Sequence, residues 1–154
     1  MKETIEAKRL AAWQGLLKAH ARCVAAIDRD LREAGQVPLE HYDVLLELFG
    51  SENHRLRLAD LADKVVLSRS GLTRLVDRLA QEGLLERVTC ASDGRGRYAV
   101  LTARGEQAFR SAWPIYARGI RAHFGDLLKD EEAETIGTAL LRVAKAIQEQ
   151  PSPD

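Results

Sequence analysis

Apolar residues recur at helical spacing through most of this chain of 154 residues. The spacing predicts one long helix over residues 4–33, which Gly35 and Pro38 bring to an end. Its apolar positions are Ile5, Trp13, Leu16, Leu17, Val24, Ile27 and Leu31. A shorter helix is predicted between Pro38 and Gly50, with Tyr42, Leu45, Leu46 and Phe49 facing inward.

Two short helices in close succession are predicted at the centre of the chain. The first has an apolar face made of Leu58, Leu61, Ala62 and Val65. After a tight break at Val66 and Leu67, Ser68 is a suitable N-cap for the second helix, and Gly83 is placed to end it. The second helix has apolar Leu72, Leu75, Val76 and Leu79 on one face and polar Ser70, Thr73, Arg74 and Asp77 on the other. This arrangement is typical of a helix-turn-helix.

A β-hairpin is predicted directly after these helices, because the strand-like runs LLERVTC and RYAVLT are joined by ASDGRG. The Asp93-Gly94 pair favours a tight turn. A hairpin in this position is the wing of a winged helix. Arg95 stands between two glycines at its tip, so it is either a solvated turn residue or a side chain held out for a partner.

Two more helices are predicted in the last third of the chain. Thr102 is a suitable N-cap for a long helix that runs to about Leu128 and is kinked at Pro114. Asp130 starts the last helix, whose apolar stripe is Ile136, Leu140, Val143, Ala144 and Ile147. The middle of the chain offers too little apolar surface to cover the helices at both ends. We therefore expect a dimer built from the terminal helices, the alternative being an intramolecular bundle.

Composition and charge narrow the class of protein. The chain is 45% hydrophobic and 30% charged, as globular proteins are, and it has neither a membrane-length apolar run nor a secretory signal at its start. Two cysteines do not suggest a disulfide framework, so we expect a cytoplasmic protein. Residues 54–104 carry ten basic and six acidic residues, whereas both flanks are slightly acidic. The middle of the chain therefore has a modest basic excess for a polyanionic partner.

The segment LRLADLADKVVLSRSGLTRLVDRLAQEGLLERVTCASDGRGRYAVLTARG resembles the winged helix of the MarR (multiple antibiotic resistance regulator) family. Its most specific parts are LSRSGLTRLVDRL, the glycine that ends that helix, and Asp93-x-Arg95 followed by Leu-Thr and a helix. The resemblance implies a mainly α fold with a small β-hairpin wing. It places the winged helix at residues 38–104, dimerisation helices at 1–37 and 105–150, and a frayed tail at 151–154.

The resemblance also implies a function. Members of the family are mostly dimeric transcription factors, commonly repressors, that bind palindromic operators in double-stranded DNA. Many release the DNA when a small, often phenolic or lipophilic, molecule or an oxidant acts on them. The positions that match the family's major-groove contacts are Ser68, Arg69, Ser70, Thr73 and Arg74. In the wing, Arg95 matches the arginine that enters the minor groove, Asp93 matches the residue that orients it, and Arg97 completes the expected DNA-binding set.

Residue chemistry supports the same assignment. Arginine near the N-terminal end of a recognition helix can donate two hydrogen bonds to guanine, and the narrow minor groove of A·T-rich DNA attracts an inserted arginine. A merely solvated helix face is the alternative. This wing is less basic than is usual in the family, because Gly94 and Gly96 stand where arginine or other polar residues are common.

A second candidate site is a pocket between the dimer helices and the winged helix, where an effector would bind. The residues that could line it are Trp13, His20, His41, Tyr42, Trp113 and Tyr116. Aromatic residues at this spacing are also typical of a core. Cys23 has small apolar neighbours and is expected to be an inert thiol, with a redox sensor as the alternative, and Cys90 is expected to be structural.

Other classes of protein have less support. His20 and Cys23 could offer two metal ligands from one helix, but the remaining histidines lack ligand spacing, so neither a metal nor a cofactor is expected. The chain has no phosphate-binding loop, nucleophile elbow or paired-carboxylate motif, so an enzyme is not expected. A winged helix that binds only proteins is the remaining alternative.

Overall fold

The computed structural model describes residues 5–65, 69–89 and 96–149. Within these ranges the chain forms six α-helices and three β-strands, with short 3₁₀ turns at Glu52–His54 and Gly125–Leu127. The elements are α1 (Ala7–Glu33), α2 (Leu39–Phe49), β1 (Arg55–Arg57), α3 (Leu58–Lys64), α4 (Arg69–Gln81), β2 (Leu85–Thr89), β3 (Arg97–Leu101), α5 (Ala103–His123) and α6 (Asp130–Gln148). The predicted mainly helical winged-helix fold is confirmed.

The hydrophobic core lies in the middle of the chain, where α2, α3 and α4 pack against the sheet and the start of α5. The apolar stripe predicted for α4 is buried, with Val76 and Leu79 fully inaccessible to solvent. Tyr42 of α2 stacks between Phe109 and Tyr116 of α5, with ring centroids 5.4 and 4.4 Å apart respectively. These contacts fix the position of α5 relative to the helix-turn-helix region.

The sheet has three antiparallel strands in the order β1-β3-β2. The register pairs Leu56 with Ala99 on one side of β3 and Arg87 with Ala99 on the other. Strand β1 was not predicted from the sequence, because three residues are too few to show the alternation that identifies a strand. It pairs with a strand more than 40 residues away and is therefore stabilised by tertiary contacts.

A short set of hydrogen bonds joins the end of α4 to the start of α5. Gly83 has a left-handed backbone conformation with a φ of +72° and ends α4 as predicted. The Leu84 N–H donates to the Leu79 carbonyl at 2.9 Å. The Thr102 hydroxyl donates to the Gly83 carbonyl at 2.7 Å and accepts from Gly105 N–H at 3.0 Å. Thr102 is thus the predicted N-cap of α5 and also holds the two helix ends together.

Several boundaries differ from the prediction. Helix α1 begins at Ala7, three residues after the predicted start. Helix α5 continues through Pro114 but ends at His123 rather than near Leu128, because Phe124 leaves the helical conformation just before the turn at Gly125. Asp130 starts α6 as predicted, with the Lys129 N–H donating to the Glu132 carboxylate at 2.9 Å. The proposed N-cap Ser68 and the 151–154 tail lie outside the described residues.

The two terminal helices leave much apolar surface uncovered. None of the residues of α6 is buried, and the first buried residue of α1 is Ile27. Trp13 is 55% exposed, Leu141 73% and Ile147 62%. The core that this chain builds therefore extends neither to α6 nor to the first half of α1.

Close packing of α5 on the turn after α4 gives a test of this geometry. A Cβ atom at Gly105 would lie 1.9 Å from the Leu84 carbonyl oxygen, so alanine there cannot fit without backbone movement. We expect Gly105→Ala to lower the free energy of unfolding by about 1–3 kcal/mol or more, as overpacking does. Gln107→Ala, at an exposed position of the same helix, is the control and should change it by less than about 0.5 kcal/mol in urea unfolding. Equal effects of the two variants would contradict the packing described.

Candidate nucleic-acid interface and adjoining cavities

Helix α4 presents a polar surface to solvent because its opposite face is fixed in the core. Leu72, Leu75, Val76 and Leu79 are all at least 95% buried. Helical spacing therefore turns Ser70, Thr73 and Arg74 outward, and all three are exposed. The structure brings these three predicted contact residues together on one face of the first two turns of α4. Residues 66–68, including Ser68, and the side chain of Arg69 lie outside the part of the chain that is described.

Ion pairs distinguish the cations of this surface. Arg78, further along α4, lies 3.4 Å from the Glu40 carboxylate, and Arg87 of β2 pairs with Asp77. Among the described residues, Arg74 has no ion-pair partner. Among the described side chains of α4, the exposed Arg74 guanidinium is thus available for an anionic or base-edge contact.

The wing is described only at its base. Arg97 starts β3, is exposed, and is paired in register with Thr89 of β2. Asp93 and Arg95, predicted to read the minor groove, lie outside the described residues, as does Cys90. Their predicted roles therefore stay predictions.

A pair of arginines on β1 adds to the basic surface at the base of the wing. The Arg55 guanidinium lies 3.8 Å from the centroid of the Tyr98 ring, and Arg57 Nε donates to the Tyr98 hydroxyl at 2.9 Å. The sequence analysis did not single out these arginines because β1 was missed. An RLR triplet directly before the first helix of a helix-turn-helix is the signal that could have indicated them.

Two adjoining cavities lie beside α2, against α1 and α5. One, of about 400 Å³, is lined mainly by α1 and α2, and the other, of about 300 Å³, also reaches Tyr116 of α5. Both are lined by His20, Val24, Leu39 and Asp43. Together they have the size that small-molecule sites commonly have. We call them the α1–α2 cavities.

Two of the six predicted pocket residues, His20 and Tyr116, line these cavities. Trp13 and Trp113 are about half exposed on the outer surface of α1 and α5. His41 is 4% exposed, with Nδ1 3.5 Å from Glu82 and Nε2 3.9 Å from Glu40, and burial lowers its pKa against the opposing effect of those carboxylates. Tyr42 is fully buried in the core. The structure therefore does not bring all six residues to one pocket.

Asp43 was missed by the sequence analysis, although it lines both α1–α2 cavities. Burial, followed by the nearby charge of Glu47, raises the pKa of Asp43 to about 6. Burial, followed by the Asp43 charge, also raises the pKa of Tyr116. The available signal was an acidic residue on the apolar stripe of α2, four residues after Leu39 and three before Leu46.

A third, more apolar cavity of about 700 Å³ lies between α1, the end of α5 and α6. Leu16, Phe124, Leu127 and Leu140 are among its lining residues. Cys23 also lines it and is half-buried, with its thiol 3.2 Å from the His123 carbonyl oxygen. His123 in turn lies 2.7 Å from the Asp30 carboxylate. Whether Cys23 is inert or senses oxidants stays a prediction.

In the described ranges, no group of three or more histidine, cysteine, aspartate or glutamate residues is arranged to hold a metal ion. None of the helices in those ranges is long and apolar enough to cross a membrane.

Comparison with known proteins gives a consistent result. Residues 36–96 match a model of the MarR family. The helix-turn-helix-type transcriptional regulator YkoM of Bacillus subtilis is 31% identical over 108 residues, which cover 70% of this chain and 68% of YkoM. Two solved structures from Streptomyces coelicolor, each 30% identical with a TM-score of 0.86, are MarR family regulators. AbsC covers 97% of this chain and 100% of its own, and Sco3205, solved in complex with DNA, covers 99% and 94%.

The raised pKa of Asp43 predicts a measurable effect on stability. The folded state holds the Asp43 proton up to about pH 6, whereas an unperturbed aspartate loses it near 3.8, so this residue makes stability fall as pH rises between those values. Asp43→Asn removes this pH-dependent decrease in stability and should raise the free energy of unfolding at pH 7.5 by about 1–3 kcal/mol. Urea unfolding at pH 4.5 and 7.5 measures the free energy of unfolding of both proteins. Glu86→Gln, which removes the same charge from an exposed position of β2, is the control, and a less stable Asp43→Asn at pH 7.5 would contradict the assignment.

Proposed function

This chain belongs to the MarR family of transcriptional regulators, and from that premise we propose that it is a homodimeric repressor. It binds a palindromic operator in double-stranded DNA and is released by a small-molecule effector. The observation that carries the proposal is the exposed polar face of α4, with Ser70, Thr73 and Arg74 presented together above a fully anchored apolar face. Sco3205, at 30% identity over almost the whole chain, was solved in complex with DNA.

The proposed mode of recognition uses α4 in the major groove and the wing beside it. The exposed Arg74 guanidinium is suited to a bidentate contact with guanine, while Ser70 and Thr73 contact bases or phosphates. Arg97, Arg55 and Arg57 add positive charge at the base of the wing. Arg95, with Asp93 to orient it, is proposed for the minor groove, and Ser68 and Arg69 for the start of α4.

The proposed dimer uses the apolar surfaces that the chain leaves uncovered on α1 and α6. Monomeric proteins rarely leave apolar patches of this extent in water, and a second copy can cover them. A two-fold axis between the terminal helices would present two α4 helices to one face of the duplex, about 34 Å apart, which matches successive major grooves. Symmetry of the protein then explains a palindromic operator.

The proposed release step uses the α1–α2 cavities. They lie between α1, which belongs to the dimer surface, and α2, which packs on the winged helix. A molecule bound there can alter the angle between these parts only if it binds the DNA-released state more tightly than the DNA-bound state.

We also assign the protein to the cytoplasm, where its DNA target is found, and propose no catalytic role for it.

Selection of bound sequences from a random DNA pool tests the proposal directly. The selected consensus should be a palindrome, and affinity for it should fall steeply as salt is raised. A winged helix that binds only proteins would select no consensus, and that result would overturn the proposal.

Arg74 provides a residue-level prediction. Arg74→Ala should cost about 1–3 kcal/mol of binding free energy on the selected operator and should relax base preference at one position in each half-site. Fluorescence anisotropy with operators altered at single positions measures both effects. Arg118→Ala removes the same charge from an exposed position of α5 and is the control. If both variants weaken binding equally at every operator, Arg74 contributes only charge.

A further inference from the structure

The most informative feature outside the DNA-binding surface is the carboxylate of Asp43. It lies on α2 at the place where the two α1–α2 cavities meet and lines both of them. Part of its surface remains accessible, so the carboxylate can be reached from the cavities. Unlike its neighbours, it has no cation within 4 Å among the described residues.

The other charged groups around the cavities have partners. Asp28 lies 2.6 Å from Arg32 and also accepts a hydrogen bond from the Leu39 N–H. Glu40 lies 3.4 Å from Arg78. Once these pairs are formed, the uncompensated charge that remains on the cavity wall is the negative charge of Asp43. A half-buried carboxylate without a partner is costly, and a bound cation would remove that cost.

Beside Asp43, the smaller cavity has an aromatic wall made by Tyr116 of α5. Tyr42 is packed behind Tyr116 in the core, fully buried, and does not line either cavity. The Tyr116 ring therefore adds aromatic surface of the kind that attracts cations to the wall next to Asp43.

The remaining lining is apolar. Val24, Ile27, Leu39 and Phe124 surround the smaller cavity beside Tyr116. A ligand that fits this lining therefore has a hydrophobic body and one group that donates several hydrogen bonds. An ammonium group has three N–H donors and a positive charge, which suits a carboxylate that has no cation of its own.

We propose that the effector of this protein is a lipophilic amine, bound in the α1–α2 cavities with its ammonium group on Asp43. This inference rests on the proposed release by a small molecule and adds the chemical class of that molecule. Asp43 is then the residue that determines specificity for a cation.

Three probes that share one ring system and differ in charge test the inference. They are 2-(1-naphthyl)ethylammonium, the neutral 2-(1-naphthyl)ethanol and the anionic 1-naphthaleneacetate. Titration calorimetry of the full chain without DNA, at pH 7.5 so that Asp43 is ionised, should show the ammonium probe binding at least tenfold more tightly than the other two. The same probe should lower affinity for the selected operator.

Two isosteric variants assign the effect. Asp43→Asn should reduce affinity for the ammonium probe at least tenfold and leave the neutral probe within about twofold, because only the charge is removed. Glu47→Gln, one turn away on the same helix and outside the cavity lining, should retain tight binding of the ammonium probe.

The outcomes separate this inference from the proposed function. Equal binding of the three probes, tightest binding of the anion, or no binding of any probe overturns the amine assignment even if operator binding is normal. Loss of operator selection with intact ammonium binding overturns the regulator proposal instead. Tight ammonium binding that Asp43→Asn leaves unchanged also overturns the assignment, because it locates the cation elsewhere.

Discussion

The apolar surface of α1 and α6 is the constraint on which the rest of this structure depends. Nothing on α6 is buried by the chain itself, and α1 is buried only near its C-terminal end, at Ile27 and Leu31. Hydrophobic burial is the main source of stability in folded proteins, so helices of this kind need a second surface. The proposed dimer provides that surface, and it also determines how far apart and in what direction the two α4 helices face.

The winged helix depends on α5 for its connection to that dimer. Thr102 and Gly105 fix the start of α5 on the turn that ends α4, and Tyr116 further along α5 stacks on Tyr42 of α2. A change in the angle between α1 and α5 is therefore passed to α4 through direct contacts. The α1–α2 cavities lie where these elements meet, and Asp43 puts an unpaired charge there. This arrangement gives a physical basis for coupling between a bound molecule and DNA affinity.

Helix periodicity predicted most of the fold, because strong signals coincide at Gly83, Thr102 and the apolar stripe of α4. Strand β1 could not be predicted, since its stability comes from pairing with β3. The exposed face of α4 also followed from the sequence, because it is the complement of the buried stripe. The cavity could not be predicted in the same way: His41 and Tyr42 are adjacent in sequence and both turn into the core, while Asp43 reaches the cavities. The partial burial of Asp43 and its lack of a counterion among the described residues depend on tertiary packing, which the sequence pattern does not show.

Sedimentation equilibrium of the free protein shows most directly whether a second copy covers α1 and α6. At micromolar concentration we expect a mass of about twice the 17.1 kDa of one chain. Leu141→Glu, which places a charge on the 73% exposed Leu141 of α6, should shift that equilibrium toward the monomer. Arg142→Glu at the next position is the matched control. A protein of these 154 residues that remains folded and sediments as a monomer, while still binding the complete operator, would contradict the proposed dimer.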